Sequence, residues 1–342
     1  MDINELKRVV TELGEPAYRA SQLFRWMHVQ LADDFALMTN LPASLREKLA
    51  GCAMIHPLKQ EKVLISRIDG TRKYLFSLHD GNVIESVFMR YEHGNAVCVS
   101  TQVGCRMGCV FCASTIDGRV RDLTAGEILG QIYAITKETG EKISTVVVMG
   151  SGEPLDNYVN LLKFLRLLTD KDGLNLSARS VTVSTCGLVE KIRELAAEDL
   201  QITLAISLHA ATDEKRQGLM PVAKKYSLSE LMGACRDYFD KTGRRITFEY
   251  ALVKGENDSD EDAKALTRLL AGFNCHVNLI PVNPIAERTY EQSDKTAVSA
   301  FKNKLEKNHI NVTIRREMGR DINGACGQLR RSFSATDPIP TS

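Results

Sequence analysis

The sequence predicts an α/β protein. About six strand–helix units form a partial barrel or a doubly wound sheet, after a small helical module and a short antiparallel hairpin region. Three observations carry this. From about residue 97, short apolar runs alternate with amphipathic segments. Asp69-Gly70 and Asp80-Gly81 punctuate residues 63–91 as hairpin turns do. Chemically unusual residues fall just after successive strands, the edge where parallel α/β folds hold ligands.

Bulk composition fits that class. A chain of 342 residues has room for one large domain and a smaller one. Its 44% hydrophobic and 25% charged content is ordinary for a globular protein. The net charge of +1 neither demands nor excludes a nucleic-acid partner, since local patches decide that. Nine unevenly spaced cysteines do not read as a secreted disulfide scaffold, so a reducing, cytoplasmic setting is expected. MDINELKRVV is charged at once and lacks a signal-peptide pattern. No apolar run reaches about 18 residues, so no membrane span is expected.

Three domains are expected: a helical module over 1–52, an antiparallel region over 53–90 and the α/β core over 91–342. Asp2 or Asn4 caps a first helix carrying Leu6, Val9 and Val10, which Pro16 ends. Tyr18, Leu23, Phe24 and Met27 mark a second helix, and a third runs from about Leu41 to Leu49 with Pro42 in its first turn. Lys7, Arg8, Arg19, Arg25, His28, Arg46 and Lys48 offer either a solvated surface or a face for a phosphate backbone. In the core, strands are expected at Val97–Gln102, Thr145–Gly150, Val181–Thr185, Ile202–Leu208, Ile246–Leu252, Cys275–Ile280 and Asn311–Ile314. Thr124 with Glu127, and Ser227 with Glu230, are capping boxes that open intervening helices. Further helices carry Val159, Leu162, Phe164 and Leu165, then Val189–Ala197, the acidic start Asp258–Asp262, and Val298–Leu305.

The first core strand leads into CVSTQVGCRMGCVFCAST, residues 98–115. Cys105, Cys109 and Cys112 are spaced C-x₃-C-x₂-C, so one compact loop can turn three thiolates to one centre. Soft thiolates select iron–sulfur, zinc or copper(I), and closed sites usually have four ligands. Three clustered ligands imply an open position on the metal or a distant fourth ligand; Cys98 lies seven residues upstream. Gly150-Ser151-Gly152-Glu153 follows the next strand, and Glu153 can accept from a ligand amine. Ser184, Ser207, Leu208, His209 and Asn283 fall at or just after later strands, with hydroxyl and amide groups suited to a nucleoside. Near the C-terminus Cys326 sits between Ala325 and Gly327 in an arginine-rich run. That placement is poor for packing, and nearby arginines raise the thiolate fraction.

The chain is identified by these motifs as resembling the bacterial dual-specificity RNA adenine-C2 methyltransferases of the radical S-adenosylmethionine superfamily. The motifs are FRWMH, MTNLP, DGTRKYLF, VCVSTQVGCRMGCVFC, MGSGEPLDN, ISLHA, HVNLIPVNP and TIRREMGRDINGACGQLR. They extend over nearly the whole chain; a family member carries methionine where Ser151 stands. The resemblance implies a partial (β/α)6 barrel of the radical type. It also implies that Cys105, Cys109 and Cys112 hold a [4Fe-4S] cluster. S-adenosylmethionine would lie against Gly152, Glu153, Ser184, Ser207, Leu208, His209 and Asn283. Cys326 is then the methyl-carrying thiol, Cys98 the partner that resolves it through a disulfide, and Glu85 the proton acceptor. The implied substrates are adenine 2503 of 23S rRNA and adenine 37 of tRNAs, both methylated at C2. An electron donor such as flavodoxin or ferredoxin is implied, and a monomer is expected. Methylation at C8 of the same rRNA adenine and a zinc-containing RNA-binding protein without catalysis are the alternatives. Cys52, Cys186, Cys235 and Cys275 match no family role and are expected to pack.

Overall fold

The structure, a computed structural model, describes residues 1–55, 58–282 and 290–322. The chain begins with three helices: α1 (Ile3–Glu12), α2 (Arg19–His28) and α3 (Ala43–Cys52). The side chain of Asp2 accepts from Asn4 and Glu5 N–H, so Asp2 rather than Asn4 is the first cap. Pro42 occupies the cap position of α3, just outside the helix. Leu6, Val10, Leu23, Phe24, Leu45 and Leu49 enter the same apolar core as the rest of the chain. Tyr18 stays outside, 57% exposed.

Strands β1 (Lys59–Ile65), β2 (Arg72–Ser77), β3 (Val83–Tyr91) and β4 (Gly94–Cys98) follow. They form an antiparallel run, with turns at the two Asp-Gly pairs. A separate ribbon pairs β5 (Gln102–Gly104) with β6 (Arg119–Asp122). The chain then alternates through α4 (Ala125–Thr139), β7 (Ile143–Val148), α5 (Tyr158–Thr169), β8 (Val181–Thr185), α6 (Val189–Ala196) and β9 (Thr203–Ser207). The order continues with α7 (Asp213–Leu219), α8 (Leu228–Thr242), β10 (Ile246–Leu252), α9 (Asp260–Leu269), β11 (Cys275–Pro281), α10 (Lys295–Lys307) and β12 (Asn311–Ile314). Both expected capping boxes are present, opening α4 and α8. A third, Ser259 with Asp262, opens α9.

One ten-stranded sheet results, in the order β1-β2-β3-β4-β7-β8-β9-β10-β11-β12. From β4 onward every neighbour is parallel. Strands β1 and β12 are its two edges, so the barrel is partial and the hairpin strands extend the parallel sheet rather than forming their own. The first expected core strand, Val97–Gln102, is instead divided between β4 and β5.

Register makes the sheet two-faced. Val97, Val146 and Val181 form one row, and Ile206, Phe248, Val277 and Val312 another. These rows are buried in the main core with the helices. The opposite face carries Cys98, Val147 and Thr182 in one row, then Ser184, Ala205, Thr247 and His276, then Ser207, Glu249 and Asn278. Parallel strands covered on both faces read as unbroken apolar runs. Here Thr182, Ser184, Ser207, Thr247, Glu249 and Asn278 interrupt those runs on one face, which suits that face to line a cavity.

Candidate active site

The cysteine loop leaves β5 and returns through β6. Cys105 N–H donates to Gly118 O at 2.9 Å and closes its base. The Thr115 hydroxyl donates to the carbonyls of Cys109 (3.0 Å) and Cys112 (2.9 Å), shaping its tip. Gly108 takes φ 74°, and a Cβ there would stand 3.2 Å from Pro221. Val110 N–H donates to Leu219 O at 3.0 Å, so α7 supports the loop from below.

Cys105 and Cys109 are buried and Cys112 is half-buried. Burial, with the charge of neighbouring thiols, pushes Cys105 up to about 12 and Cys109 well above its ordinary value. Bound cations displace such protons and stabilise the thiolates. Among the described residues, no three His, Cys, Asp or Glu side chains converge on a site for one ion. The donor set is that of a soft metal.

The Gly150–Glu153 segment runs beside this loop. A Cβ on Gly150 would lie 2.6 Å from Val99 O, and one on Gly152 (φ 108°) would lie 2.7 Å from Gln102 Cβ. Both glycines are therefore needed for backbone passage against the end of β4 and the start of β5. Ser151 is buried, and its hydroxyl lies 3.0 Å from that of Ser114, joining this segment to the cysteine loop. Glu153 accepts from Leu155 N–H at 3.0 Å and Cys186 N–H at 2.7 Å, bridging the ends of β7 and β8. Burial raises its pKa, against the pull of these donors.

Ser184 and Ser207 meet with their hydroxyls 3.4 Å apart on adjacent strands. His209 takes φ 56° and is buried. Its Nδ1 accepts from Ala251 N–H at 2.9 Å, so Nε2 carries the ring hydrogen. Its ring meets Phe111 of the cysteine loop edge-on, with centroids 4.8 Å apart. Burial, aided by the Arg216 charge, pushes this imidazole down to about 3. The cysteine loop, the Glu153 segment and the ends of β8 and β9 thus converge.

Cys98 is buried beside Val87, Met89, Ala96, Val147, Met149 and Met318. It pairs with Val87 of β3, and Glu85 lies two residues further along β3 on the same face. Glu85 is buried and forms a 3.2 Å ion pair with buried Lys73. Asn283 and Cys326 lie outside the described residues.

Sequence reasoning missed three contributors. Lys73 was one: a lysine between Arg72 and the apolar Tyr74-Leu75-Phe76, whose alternation places it on the inner face. Gln131 of α4 is fully buried and brackets Ser100, accepting from its N–H (2.8 Å) and donating to its carbonyl (2.9 Å). Arg216 of α7 is fully buried; it donates to Cys186 O at 2.7 Å and Leu208 O at 3.2 Å. Among the described residues its Nη1 has no partner and no carboxylate lies within ion-pairing distance. The other cysteines divide. Cys235 and Cys275 pack in the core, whereas Cys186 packs near Cys109 with its N–H serving Glu153. Cys52 is exposed, contrary to the packing role expected of it, because it falls in the last turn of α3 on its outer side.

A parallel (β/α)6 sheet carrying a three-cysteine loop after its first strand defines the radical S-adenosylmethionine class. The superfamily model matches residues 99–266, and one described as the ribosomal RNA large subunit methyltransferase N-terminal domain matches residues 1–55. The chain is 61% identical over 333 residues to the probable dual-specificity RNA methyltransferase RlmN of Lachnospira eligens, covering 97% of this chain and 95% of the relative. The same-named protein of Clostridium novyi is 55% identical, with 97% and 96% covered. The crystal structure of a radical SAM methyltransferase from Sphaerobacter thermophilus superposes with a TM-score of 0.92 at 43% identity, covering 96% and 97%. The chain belongs to the RlmN family of radical S-adenosylmethionine RNA methyltransferases.

Proposed function

We propose that the protein methylates the C2 carbon of adenine 2503 in 23S rRNA and of adenine 37 in tRNAs, with Cys326 as methyl carrier. The observation that supports it best is the convergence just described: three thiols of one loop meet strand ends bearing Glu153, Ser184, Ser207 and His209, beside a face holding Cys98 and Glu85. Relatives named as dual-specificity RNA methyltransferases favour this over C8 chemistry.

In this reading Cys105, Cys109 and Cys112 hold a [4Fe-4S] cluster. The donor set fits: all three are soft, and the buried, acid-free guanidinium of Arg216 is suited to an anionic neighbour. Gly152, Glu153, Ser184, Ser207, Leu208, His209 and Asn283 hold S-adenosylmethionine. When bound, cluster and cofactor would supply the radical chemistry that activates the methyl group carried by Cys326. Glu85 takes the proton from the adduct carbon, and Lys73 balances the carboxylate charge before that transfer. Attack by Cys98 on Cys326 frees the product and leaves a disulfide. The target adenine leaves its stack to reach the face.

Residues 1–52 are the RNA-contact module. Lys7, Arg8, Arg25 and Lys48 are its exposed cations, Lys48 also donating to Leu13 O, whereas His28 is buried against Tyr133 and half-buried Arg46 donates to Ala36 O. The protein acts as a cytoplasmic monomer reduced by flavodoxin or ferredoxin; no described helix is long and apolar enough to cross a membrane.

The test is nucleoside mass spectrometry on RNA treated with anaerobically reconstituted protein. 2-Methyladenosine at both sites is expected. 8-Methyladenosine would transfer the assignment to C8. Zinc without iron after reconstitution would end the radical reading.

A further inference from the structure

Among the described residues three glutamates are buried: Glu85, Glu153 and Glu249. The first is ion-paired with Lys73, and the second accepts from two main-chain N–H groups. Glu249 has no such set of partners. It lies in the middle of β10 on the polar face, flanked in register by Ser207 of β9 and Asn278 of β11. One carboxylate oxygen, Oε2, accepts from Asn278 Nδ2 at 3.0 Å. The other, Oε1, has no hydrogen-bond partner among the described residues, and no cation ion-pairs with the group there. Nor is Oε1 sealed off by the protein, so it opens onto the face. A carboxylate only 4% exposed, with half its acceptors unused, is costly unless a ligand completes it.

The surroundings of Glu249 select the ligand. Its carbonyl accepts from Leu208 N–H at 3.0 Å and His209 N–H at 3.3 Å, holding the turn after β9. Just before that turn the Ser207 hydroxyl lies 3.4 Å from that of Ser184. Two hydroxyls and a carboxylate thus stand in sequence across β8, β9 and β10. Hydroxyls donate and accept, whereas a carboxylate only accepts, and this set suits the vicinal diol of a ribose. We propose that Glu249 is a further cofactor-binding residue, whose Oε1 accepts from a ribose hydroxyl of S-adenosylmethionine. The inference rests on the reading of Ser184, Ser207 and His209 as the cofactor site. Burial raises the pKa of the Glu249 carboxyl, against the pull of the Arg315 charge and the Asn278 bond. A donor on the ligand adds to that pull.

The orientation of the Asn278 amide is set from its far side. Thr313 Oγ1 donates to Asn278 Oδ1 at 3.2 Å, and His276 Nε2 lies 2.9 Å from the Thr313 hydroxyl. Asn278 Nδ2 is therefore held toward Glu249. Glu249→Gln must turn its amide oxygen to Asn278 and its NH2 to the ligand, so an acceptor becomes a donor. Adding Asn278→Asp reverses this: the new carboxylate takes the NH2, and the amide oxygen faces the ligand again.

The experiment measures the Kd of S-adenosylhomocysteine, which carries the same ribose, and of its 2′-deoxy and 3′-deoxy analogues. The protein is reconstituted anaerobically and left oxidised. Glu249→Gln is expected to weaken the parent ligand about tenfold, and Glu249→Gln with Asn278→Asp to recover most of that loss. One deoxy analogue is expected to bind the unsubstituted protein about tenfold more weakly than the parent, and to lose nothing further in Glu249→Gln. A pair that served the fold alone would not couple to a hydroxyl of the ligand. Iron content is expected to stay at the unsubstituted level. An unchanged Kd in Glu249→Gln would overturn the proposal, and so would equal losses for the parent and both analogues in that variant. Should Glu249→Gln fail to fold, the double variant decides: keeping the parent Kd and the discrimination against the deoxy analogue supports the proposal, and losing either overturns it. Absence of binding to the iron-loaded, unsubstituted protein would instead sink the cofactor reading on which the inference rests.

Discussion

Lys73 and Glu85 form a buried ion pair, 3.2 Å apart, on neighbouring strands of the face that carries Cys98. Removing one partner of such a pair costs roughly 3–5 kcal/mol, because a buried charge loses its counter-charge; replacing both with apolar residues often costs little. Lys73→Met is therefore expected to lower urea stability by about that amount, and Lys73→Met with Glu85→Leu by clearly less. Equal losses in the two variants would show that the pair is not coupled.

Glu85→Gln keeps the shape of the side chain and removes its basicity. Single-turnover assays are expected to show slow release from the adduct stage. Unchanged kinetics would remove Glu85 from the reaction.

On the proposed mechanism, Cys98→Ala leaves Cys326 without its resolving thiol. A covalent RNA–protein species is expected on a denaturing gel after incubation with substrate and reductant. Its absence would argue for a different resolving group.

Two buried histidines set a pH dependence. Burial pushes His28 down to about 4 and His209 down to about 3 from an ordinary 6.5. As pH falls, the unfolded chain takes up these protons first, so their contribution is complete above about 6.5 and is lost on the way to those lower values. By pH 5 each imidazole is expected to have lost about 2 kcal/mol. Chemical denaturation of His28→Gln across this range should show a shallower slope than the unsubstituted protein; parallel slopes would exclude His28 as a source.

Arg216→Met sets two terms against each other. It breaks bonds to Cys186 O and Leu208 O, each charge-assisted bond being worth about 1.5–3 kcal/mol. It also relieves a buried charge whose desolvation costs several kcal/mol. Thermal stability is expected to move little. The ends of β8 and β9 are no longer tied together, so the Kd for S-adenosylmethionine is expected to rise about tenfold. An unchanged Kd would confine Arg216 to folding.

What was legible in the sequence was local. Period and turn residues revealed the six later core strands and two capping boxes, whereas the first expected strand divides between β4 and β5; cysteine spacing picked out the loop that meets the strand ends. Short charged elements escaped. The strand Arg119–Asp122 alternates arginine with its neighbours, and the helix Asp213–Leu219 buries only Arg216 and Leu219. Pairings such as Lys73 with Glu85, or Gln131 with Ser100, depend on contacts between distant elements that no short window contains. The Asp69–Gly319 bond spans 250 positions, so its turn read as an ordinary hairpin.

The division of the sheet into an apolar and a polar side has a consequence for how such a protein changes over generations. Thr182, Thr203, Thr247 and Asn278 alternate with core valines and leucines yet contribute nothing to the apolar packing behind them. Substitutions at Thr182 and Thr247 change the lining of this face without entering the apolar core, whereas Asn278, which donates to the buried Glu249 carboxylate at 3.0 Å, is tied to its neighbours. The same strands thus separate positions free to vary from positions bound to the fold.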